Sequence, residues 1–452
     1  MRLTLGQIAA AMGASVDIHP DPMVTRVSID SRSVQPGDLF FCIVGRQLDG
    51  HEFAQQAIAA GACALVASRP LDVGVPVLLV RDTTKALGRL ARFWREQSQA
   101  CVIGVTGSAG KTTVKEMLAK VLATAGATGK NFRNLNNQIG LPLSILEMSG
   151  QEDYWVLELG ISEPGDMDEL GYILAPDVAV VLNIGPCHLA GLGSVTGVAE
   201  EKMTLLDYLR PQGWACLNAD YPELVQESKK KSVPMTFFSG TGLDVAYTCH
   251  KRMDQGKNVL YHIASHGQHH SLLVPGHLHI SENIMAVIAV AQELGLDLEA
   301  VIQGLEEHVP VVQRFVTSQV GKWTFIDDTY NANPMSMFLS IAQARDLAQD
   351  QRLVLVLGDM LELGSEALHA HQELGQRVVA SKASHCFFYG QHAADVQSGL
   401  TGYTGEFVAV TSAEQILHAL AMFQDEPGVL LVKGSRSCKM ENLYMFLERN
   451  WE

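Results

Sequence analysis

Short apolar runs alternate with helical patterns along most of the chain. Four of these runs are Cys101–Thr106, Val178–Ile184, Leu353–Leu357 and Val429–Val432. Strands that are buried on both faces read as continuous apolar runs, and helices usually connect such strands. The pattern therefore predicts an α/β protein in which helices cover parallel sheets.

The apolar runs fall into three segments, and a chain of 452 residues is long enough for about three domains. The first segment, residues 1–84, predicts a small α/β domain at the N-terminus. The second, residues 85–312, predicts a central parallel sheet that ends in a β-meander near residues 240–280, with a linker at Pro310. The third, residues 313–452, repeats strand and helix like a small doubly wound, Rossmann-like domain.

The composition excludes several classes of protein. Hydrophobic residues make up 47% and charged residues 18%, which is typical of a globular chain and excludes a disordered one. The net charge is −16, so we expect no nucleic acid partner. No apolar run approaches the ~20 residues of a membrane helix, and Met1–Ala14 lacks the features of a secretory signal, so we expect no membrane insertion. The 8 cysteines form no CxxC pair and look like reduced thiols, which indicates a cytoplasmic protein.

A glycine-rich turn follows the apolar run Cys101–Thr106 and precedes a helical pattern. The turn and the start of the helix read Gly107, Ser108, Ala109, Gly110, Lys111, Thr112, Thr113. Backbone N–H groups of such a turn surround phosphate oxygens, the lysine reaches the terminal phosphates and the hydroxyl after it binds Mg²⁺. The central domain is therefore expected to be a P-loop-type mononucleotide-binding domain, although Val105 stands where the common motif has a glycine. No G-x-G-x-x-G follows a strand, which disfavours a dinucleotide oxidoreductase.

Two polar residues follow neighbouring apolar runs of the central segment. Glu158 ends one run, and His188 follows Val178–Ile184 after a short turn. Ligands of open α/β sheets collect at the carboxyl ends of the strands, so these two side chains predict a joint metal site. The histidines at 266, 269 and 270 lie in a polar, glycine-containing turn, which we interpret as an exposed hairpin rather than a metal site.

Two polar loops follow apolar runs of the third segment. Asp327–Pro334 is dense in hydrogen-bonding groups, and Val432–Arg436 offers a turn and two cations that suit a carboxylate. Both loops lie where a second substrate would meet a nucleotide bound to the central domain.

These features together resemble the Mur ligase family, and the resemblance covers nearly the whole chain. Within the family it is greatest to the branch that adds D-alanyl-D-alanine. The stretches that carry it are Asp30-Ser31-Arg32, Pro36–Phe40, Gly45-Arg46, Asp49-Gly50-His51, Thr106–Thr112, Asn134–Pro142, Asp327–Met337, Gly358–Gly364 and Lys433–Arg436. The family's T-G-[ST]-x-G-K-[ST] loop also accounts for Val105.

The resemblance implies a ligase that uses ATP and Mg²⁺ to join D-Ala-D-Ala to UDP-N-acetylmuramoyl-tripeptide in peptidoglycan precursor synthesis. It further implies that the N-terminal domain binds the UDP-substrate, the central domain ATP and the C-terminal domain the incoming dipeptide. We expect a monomer.

The resemblance also assigns individual residues. It implies that the glycine-loop residues bind the nucleotide together with Asn283, Arg314, Asp328 and Asn331. It implies that the catalytic residues are Lys111, Glu158, His188 and Lys202, and that Mg²⁺ is held by Thr112, Glu158, His188 and a carbamylated Lys202. Without the resemblance, the sequence predicts only that Lys202 is a surface lysine of a helix. The implied substrate contacts are Ser31, Arg32, Arg46, Asp49, His51, Asn134, Asn136, Asn137, Tyr330, Lys433, Ser435 and Arg436.

The chain departs from the family pattern in two stretches that bear on the nucleotide. Gly276–Asn283 differs from the family's G-x-H-N-x-x-N, and Gln313 replaces the glycine before Arg314. A sibling ligase that adds another amino acid, or uses a folate, stays an alternative, but Asn333-Pro334-Met335 lacks the Asn-Pro-Arg of the diaminopimelate- or lysine-adding branch. A regulatory nucleotide-binding module without ligase chemistry is a further alternative. The polar strand ends in two separate domains argue against it.

Overall fold

The structure is a computed structural model of the chain. It describes residues 1–14, 21–45, 47–132, 134–255, 258–275, 280–307, 309 and 311–451, without the side chains of residues 254 and 422. Arg46, the Gly276–His279 segment and the predicted linker residue Pro310 lie outside the described residues. No helix in the described part of the chain is long and apolar enough to cross a membrane.

The N-terminal part contains a small parallel sheet of four strands in the order β3-β4-β5-β6, beside a two-stranded antiparallel ladder, β1-β2. Its elements are β1 Leu3–Thr4, α1 Leu5–Met12, β2 Met23–Val24, β3 Val27–Ser28, β4 Leu39–Phe41, α2 Ala54–Ala59, β5 Ala64–Ala67, β6 Val77–Leu79 and α3 Thr83–Gln97. This arrangement confirms the small N-terminal α/β unit.

The central part is built on a sheet of nine strands in the order β15-β14-β13-β12-β11-β10-β7-β9-β8. Its elements are β7 Cys101–Thr106, α4 Lys111–Leu122, β8 Thr128–Lys130, α5 Gly140–Glu147, β9 Tyr154–Glu158, α6 Asp166–Leu174, β10 Val178–Val181, α7 Leu189–Leu192, α8 Val195–Met203, β11 Trp214–Asn218, α9 Pro222–Ser228, β12 Met235–Ser239, β13 Tyr247–Gln255, β14 Asn258–Ser265, β15 Gln268–Pro275, α10 Ser281–Glu293 and α11 Leu298–Glu306. The strands from β8 to β13 run parallel.

The last three strands of this sheet form the β-meander that the polar stretch predicts. Antiparallel pairing joins β13 to β14 and β14 to β15. His266 turns the second hairpin with a φ of +47° and is exposed to solvent. The alternation of buried and open positions along β14 shows that one face of the meander packs on the core.

The third part is a sheet of six strands in the order β16-β17-β21-β18-β19-β20, parallel except for β16. Its elements are β16 Val316–Val320, β17 Trp323–Asp328, α12 Pro334–Ala348, β18 Arg352–Gly358, α13 Ala367–Ser381, β19 His385–Tyr389, α14 Ala393–Ser398, β20 Glu406–Ala409, α15 Ala413–Leu420, β21 Gly428–Lys433 and α16 Met440–Arg449. Separate apolar clusters cover its two faces, which confirms the doubly wound expectation.

The glycine-rich turn lies at the middle of the central sheet. Strand β7 pairs in parallel with β9 on one side and with β10 on the other, so the loops after all three strands open at the same edge. Strand β10 ends at Val181, three residues before the predicted end at Ile184, because Asn183 turns out of the sheet to contact the loop after β7. This edge holds the candidate site.

Candidate active site at the strand ends of the central sheet

The glycine loop connects β7 to the first turn of α4. Gly110 has a φ of +79°, a conformation that L-residues other than glycine rarely adopt, and a Cβ added there would lie 2.5 Å from Asn283 Oδ1. The predicted nucleotide residue Asn283, at the start of α10, therefore lies directly against the loop. The backbone N–H groups at the start of α4 face the same edge, which makes this turn a suitable cradle for phosphate.

Asn183 holds the loop in shape, and the sequence analysis did not single it out. Its Oδ1 accepts a hydrogen bond from the Ala109 amide at 2.8 Å, and its carbonyl accepts one from the Ser108 amide at 3.1 Å. The buried Ser108 hydroxyl in turn accepts a bond from the Gly185 amide at 2.9 Å. Asn183 is a polar residue near the end of an apolar run, and this position in the sequence could have indicated its role.

Lys111 curls back over the loop, where its Nζ donates to the Gly107 carbonyl at 2.7 Å. Burial lowers the pKa of its ammonium group, and the opposing charge of Glu158 partly offsets this effect. Bound phosphates would compete with a single carbonyl for this cation. The lysine is thus already placed where a nucleotide would meet the turn.

Glu158 is buried at the end of β9. Asn136 Nδ2 donates to its Oε1 at 2.9 Å, and Oε2 has no hydrogen-bond partner among the described residues. Asn131, a buried residue that the sequence analysis missed, brackets the backbone of Glu158 by accepting from its amide at 3.1 Å and donating to its carbonyl at 3.2 Å.

His188 follows β10 and starts the short helix α7 with a φ of +53°. Its Nδ1 lies 2.8 Å from Glu362 Oε2, a carboxylate of the third part of the chain. The predicted metal ligand therefore contacts the Gly358–Gly364 loop, whose role the sequence analysis left unassigned.

Lys202 lies on α8 and is almost fully buried. Burial lowers the pKa of its amine to about 8, and the charge of Lys111 acts in the same direction. A surface lysine was the plain interpretation of this position from the sequence, and the structure corrects it.

The oxygen atoms at this edge suit a hard cation. Among the described residues, no three His, Cys, Asp or Glu side chains are grouped closely enough to hold a metal ion. Mg²⁺, however, commonly takes one or two protein ligands and completes its shell with water and substrate phosphates. The unpartnered buried Oε2 of Glu158 and the Thr112 hydroxyl are donors of this kind, so the residues present fit Mg²⁺ bound with a nucleotide.

Loops of the third part contact the glycine loop directly. Arg314 Nη2 donates to Thr112 Oγ1 at 3.4 Å, and Asn333 Nδ2 donates to the Ser108 carbonyl at 3.0 Å. The guanidinium of Arg314 also lies over the ring of Tyr330 at 3.9 Å from its centroid. Gln313, where the family has glycine, adopts a φ of +61°, which explains why glycine suits that position.

A buried ion pair ties the two polar loops of the third part together. Lys433 Nζ donates to Asp328 Oδ2 at 2.7 Å and to the Asn331 carbonyl at 3.1 Å. Asn331 Oδ1 accepts a bond from the Arg436 amide at 3.1 Å, while the Arg436 side chain is half-exposed beside Glu441. Two cations of this loop are predicted dipeptide contacts. Lys433 is buried, whereas Arg436 is exposed to solvent.

Two further predicted substrate residues have local structural contacts. Ser435 Oγ accepts a bond from the Leu361 amide at 2.9 Å. Asn137 Oδ1 accepts from the Gly140 amide at 2.9 Å at the start of α5, whereas Asn134 is exposed.

The predicted uridine-nucleotide residues are spread over a loop edge of the N-terminal sheet. Ser31 is buried and donates to Gln56 Oε1 at 3.0 Å, while Arg32 is exposed beside Asp30. The buried ring of His51 contacts Asp49 at 2.5 Å and accepts a bond from the Ser68 amide at 3.0 Å. The hydrogen bonds from His51 lower the pKa of Asp49. Asp49 and His51 therefore brace this edge, and their contact with a substrate stays a prediction.

All eight cysteines carry free thiols. Burial raises the pKa of Cys42 to about 12 and that of Cys101 to about 11, so these two side chains are protonated thiols at neutral pH.

Three regions of the chain match family models. Residues 23–95 match the catalytic domain of the Mur ligase family, residues 105–291 the Mur ligase middle domain and residues 313–436 the Mur ligase glutamate ligase domain. The chain belongs to the Mur ligase family. The resemblance indicated by the sequence motifs is thereby confirmed.

Relatives within the family match over the full length. The chain is 33% identical to the UDP-N-acetylmuramoyl-tripeptide–D-alanyl-D-alanine ligase of Escherichia coli (strain K12), over 99% of each chain. Its fold is similar to a crystal structure of MurF from Acinetobacter baumannii, with a TM-score of 0.92 and 30% identity over 100% of this chain and 99% of that one. The structure of MurF from Thermotoga maritima in complex with ADP gives a TM-score of 0.86 and 29% identity, over 95% of this chain and 98% of that one.

Proposed function

We propose that this chain is an ATP-dependent amide ligase that joins D-alanyl-D-alanine to UDP-N-acetylmuramoyl-tripeptide in peptidoglycan precursor synthesis. The products are UDP-N-acetylmuramoyl-pentapeptide, ADP and phosphate. The observation that carries the proposal is the contact of Arg314 and Asn333 with the glycine loop, because it joins a nucleotide cradle to the loops of a second substrate domain. The full-length identity to a ligase of this activity supports it.

The reaction has to activate a carboxylate, which is a poor electrophile until one of its oxygens becomes a good leaving group. An oxygen of the tripeptide carboxylate attacks the γ-phosphorus of ATP, the bond to the bridging oxygen breaks and ADP leaves. The amine of D-Ala-D-Ala attacks the resulting acyl phosphate, passes through a tetrahedral intermediate, loses a proton and displaces phosphate. Several anions meet in these steps, so preorganised cations are the main requirement of the site.

The side chains at the loop have distinct tasks in this proposal. Lys111 leaves the Gly107 carbonyl and binds the terminal phosphates, assisted by Arg314 from the third domain. Glu158 and Thr112 would hold Mg²⁺, which when bound neutralises charge between phosphate oxygens. His188, which here contacts Glu362, would hold a second cation.

Lys202 is proposed to act as a carbamate. The ammonium group first loses a proton, and the neutral amine then attacks CO₂. A nitrogen–carbon bond forms, one carbon–oxygen π bond opens and a second proton leaves the nitrogen, so that a cation becomes an anion. The lowered pKa of about 8 supports this role, because a substantial fraction of the amine is neutral near that pH. The carbamate would present an anion to a cation that a lysine ammonium group would repel.

The substrate assignments follow the three domains. Residues 1–84 bind the UDP-substrate, residues 85–312 bind ATP, and residues 313–452 bind the dipeptide. Tyr330 and the exposed Arg436 are the side chains best placed near the glycine loop to meet the incoming dipeptide, the latter through its carboxylate. We also propose that the enzyme is a cytoplasmic monomer.

A phosphate-release assay tests the activity. Purified protein with ATP, Mg²⁺ and UDP-N-acetylmuramoyl-tripeptide should release phosphate when D-Ala-D-Ala is added and not with L-lysine or diaminopimelate. Lys111→Ala should lose about 10²–10³ in kcat, since it removes one preorganised cation. Lys120→Ala, a half-buried position on the same helix whose side chain contacts Glu307, is the matched control.

Two outcomes would contradict the proposal. Equal release with L-lysine or diaminopimelate would favour the sibling ligase. ATP binding without any acyl transfer would favour the regulatory module.

A further inference from the structure

A second lysine on α4 lies beneath the glycine loop and has no role in the mechanism above. Lys115 follows Lys111 by four residues, so both project from the same face of the helix. Its side chain is completely buried. A buried ammonium group is costly unless it is paired, so its surroundings need an explanation.

The charge of Lys115 lies beside Glu158 without occupying its free oxygen. Lys115 Nζ donates to the Asn131 carbonyl at 2.8 Å and is 3.9 Å from Glu158 Oε2, which is beyond hydrogen-bonding distance. The Oε1 atom is already bonded to Asn136. The ammonium therefore compensates the carboxylate through space, while the lone pairs of Oε2 remain available.

The other acidic neighbour of Lys115 is less able to neutralise it. Glu116 lies 3.3 Å from Lys115 Nζ, but its side chain is 26% exposed and also pairs with Lys130. Solvent screens that pair more strongly than the fully buried one. Asn131 completes the assembly, because it bonds both Lys115 and the backbone of Glu158.

We infer that Lys115 is a positioning residue that supports the backbone of Glu158 through Asn131 and, through its charge, weakens the affinity of the Glu158 carboxylate for divalent cations. A unit charge this close to the carboxylate also repels a cation bound to Oε2, since electrostatic interactions in a buried site are poorly screened. A moderate affinity would let a bound cation dissociate together with ADP. The inference rests on the proposed role of Glu158 as a Mg²⁺ ligand.

The test is a titration of Mg²⁺ at a fixed ADP concentration, with ADP binding measured by calorimetry. Lys115→Met, which keeps the apolar stem and removes the charge, should lower the half-saturating Mg²⁺ concentration by about tenfold or more. Its kcat should fall, because ADP release becomes slower. Lys120→Met on the same helix should leave both quantities unchanged. An unchanged or higher Mg²⁺ requirement in Lys115→Met would overturn the inference.

Thermal unfolding tests the same inference if Lys115→Met is poorly folded at low Mg²⁺. Added Mg²⁺ and ADP should raise its melting temperature more than that of the wild type. The double variant Lys115→Met/Glu158→Gln, which removes both charges, should lose that extra rise. An equal rise in all three proteins would contradict the inference.

Single Glu158→Gln separates this inference from the proposed function. If that variant required no more Mg²⁺ than the wild type for ADP binding, the ligand role of Glu158 would be wrong, and the inference about Lys115 would fall with it. Phosphate release by the wild type on addition of D-Ala-D-Ala is measured independently of both.

Discussion

Buried amines are the distinctive residues of this molecule. Lys115, Lys202 and Lys433 are each at most 2% exposed, in a chain whose net charge is −16. Lys433 pairs with Asp328, Lys115 lies 3.3 Å from Glu116 and 3.9 Å from Glu158, and burial is the largest influence on the pKa of Lys202. The acidic surface thus encloses these three lysines near the edge where phosphates and carboxylates would meet.

Lys202 is expected to lower the stability of the fold. Its pKa is lower in the folded chain than in the unfolded chain, so the unfolded chain binds more protons between about pH 8 and 10.5. The free-energy cost of burying the charged amine has its full value below pH 8 and decreases as the pH rises from about 8 to 10.5. Lys202→Met should therefore raise the free energy of unfolding at pH 7 by about 1–3 kcal/mol in CO₂-free buffer.

Urea unfolding at pH 7 and at pH 10.5 checks this prediction. The increase in the free energy of unfolding caused by Lys202→Met should be smaller at pH 10.5 than at pH 7. Lys229→Met, at an exposed position, should cause no increase at either pH. A loss of stability at pH 7 would contradict it. The same variant should be inactive, and Lys202→Ala should recover part of its activity with added short carboxylates.

At the scale of elements, the site depends on turns that follow parallel strands. The turn after β7 needs a left-handed residue at Gly110, next to Asn283. The turns after β17 and β21 are joined by Asp328 and Lys433. In both cases a loop is held by a partner that is distant in sequence, so its conformation depends on the tertiary structure.

Gly110→Ala is expected to weaken nucleotide binding more than stability. The left-handed conformation costs about 1–2 kcal/mol for alanine, and the added Cβ would also displace Asn283. Gly165→Ala is a matched control, because Gly165 has a φ of +88° and no atom within 4 Å of the added Cβ. Both variants should lose similar stability in urea, and only Gly110→Ala should lose ADP affinity by calorimetry. Equal loss of affinity in both would contradict this interpretation.

The ion pair between Asp328 and Lys433 joins the loops after β17 and β21. Removing one partner of this pair is expected to destabilise the fold strongly. Lys433→Met leaves a buried carboxylate without its counter-charge, which should lower the free energy of unfolding by about 3–5 kcal/mol. Lys433→Met/Asp328→Asn removes both charges and should recover part of that loss. Equilibrium urea unfolding measures both variants, and a double variant less stable than Lys433→Met would contradict the prediction.

At the scale of the whole molecule, the third domain is positioned over the glycine loop by a few polar contacts. These contacts join Arg314 to Thr112, Asn333 to Ser108 and His188 to Glu362. Interfaces this polar are typical of domains that move relative to each other. The same residues would therefore govern how the nucleotide meets the second substrate.

The side chain of Asn333 has two roles, a contact with the central domain and the capping of α12, and two substitutions can distinguish them. Its Nδ2 bonds the Ser108 carbonyl, while its Oδ1 caps α12 by accepting from the Ser336 amide at 2.8 Å. Asn333→Ser keeps a cap and loses the contact, whereas Asn333→Ala loses both. Both variants should raise the KM for ATP and the radius of gyration by small-angle scattering, and Asn333→Ala should also be less stable by about 1 kcal/mol. An unchanged KM in both would show that the contact has no role.

Much of the fold was predictable because its signals are local. The apolar runs of β7, β18 and β21 alternate with helical patterns, and the glycine turn before Lys111 is a contiguous motif. Backbone geometry imposes these patterns wherever the segment lies in the chain. The comparisons confirm the family that these motifs indicated.

The class of fold, the phosphate loop and the polar strand ends follow from local patterns in the sequence. The contact partners of individual side chains follow from burial and from the packing of distant segments, which local spacing does not show. The tertiary structure buried Lys202, which looked like a surface lysine, and it placed Asn183 on the glycine loop. It also brought Lys115 of α4 to within 3.9 Å of Glu158 at the end of β9.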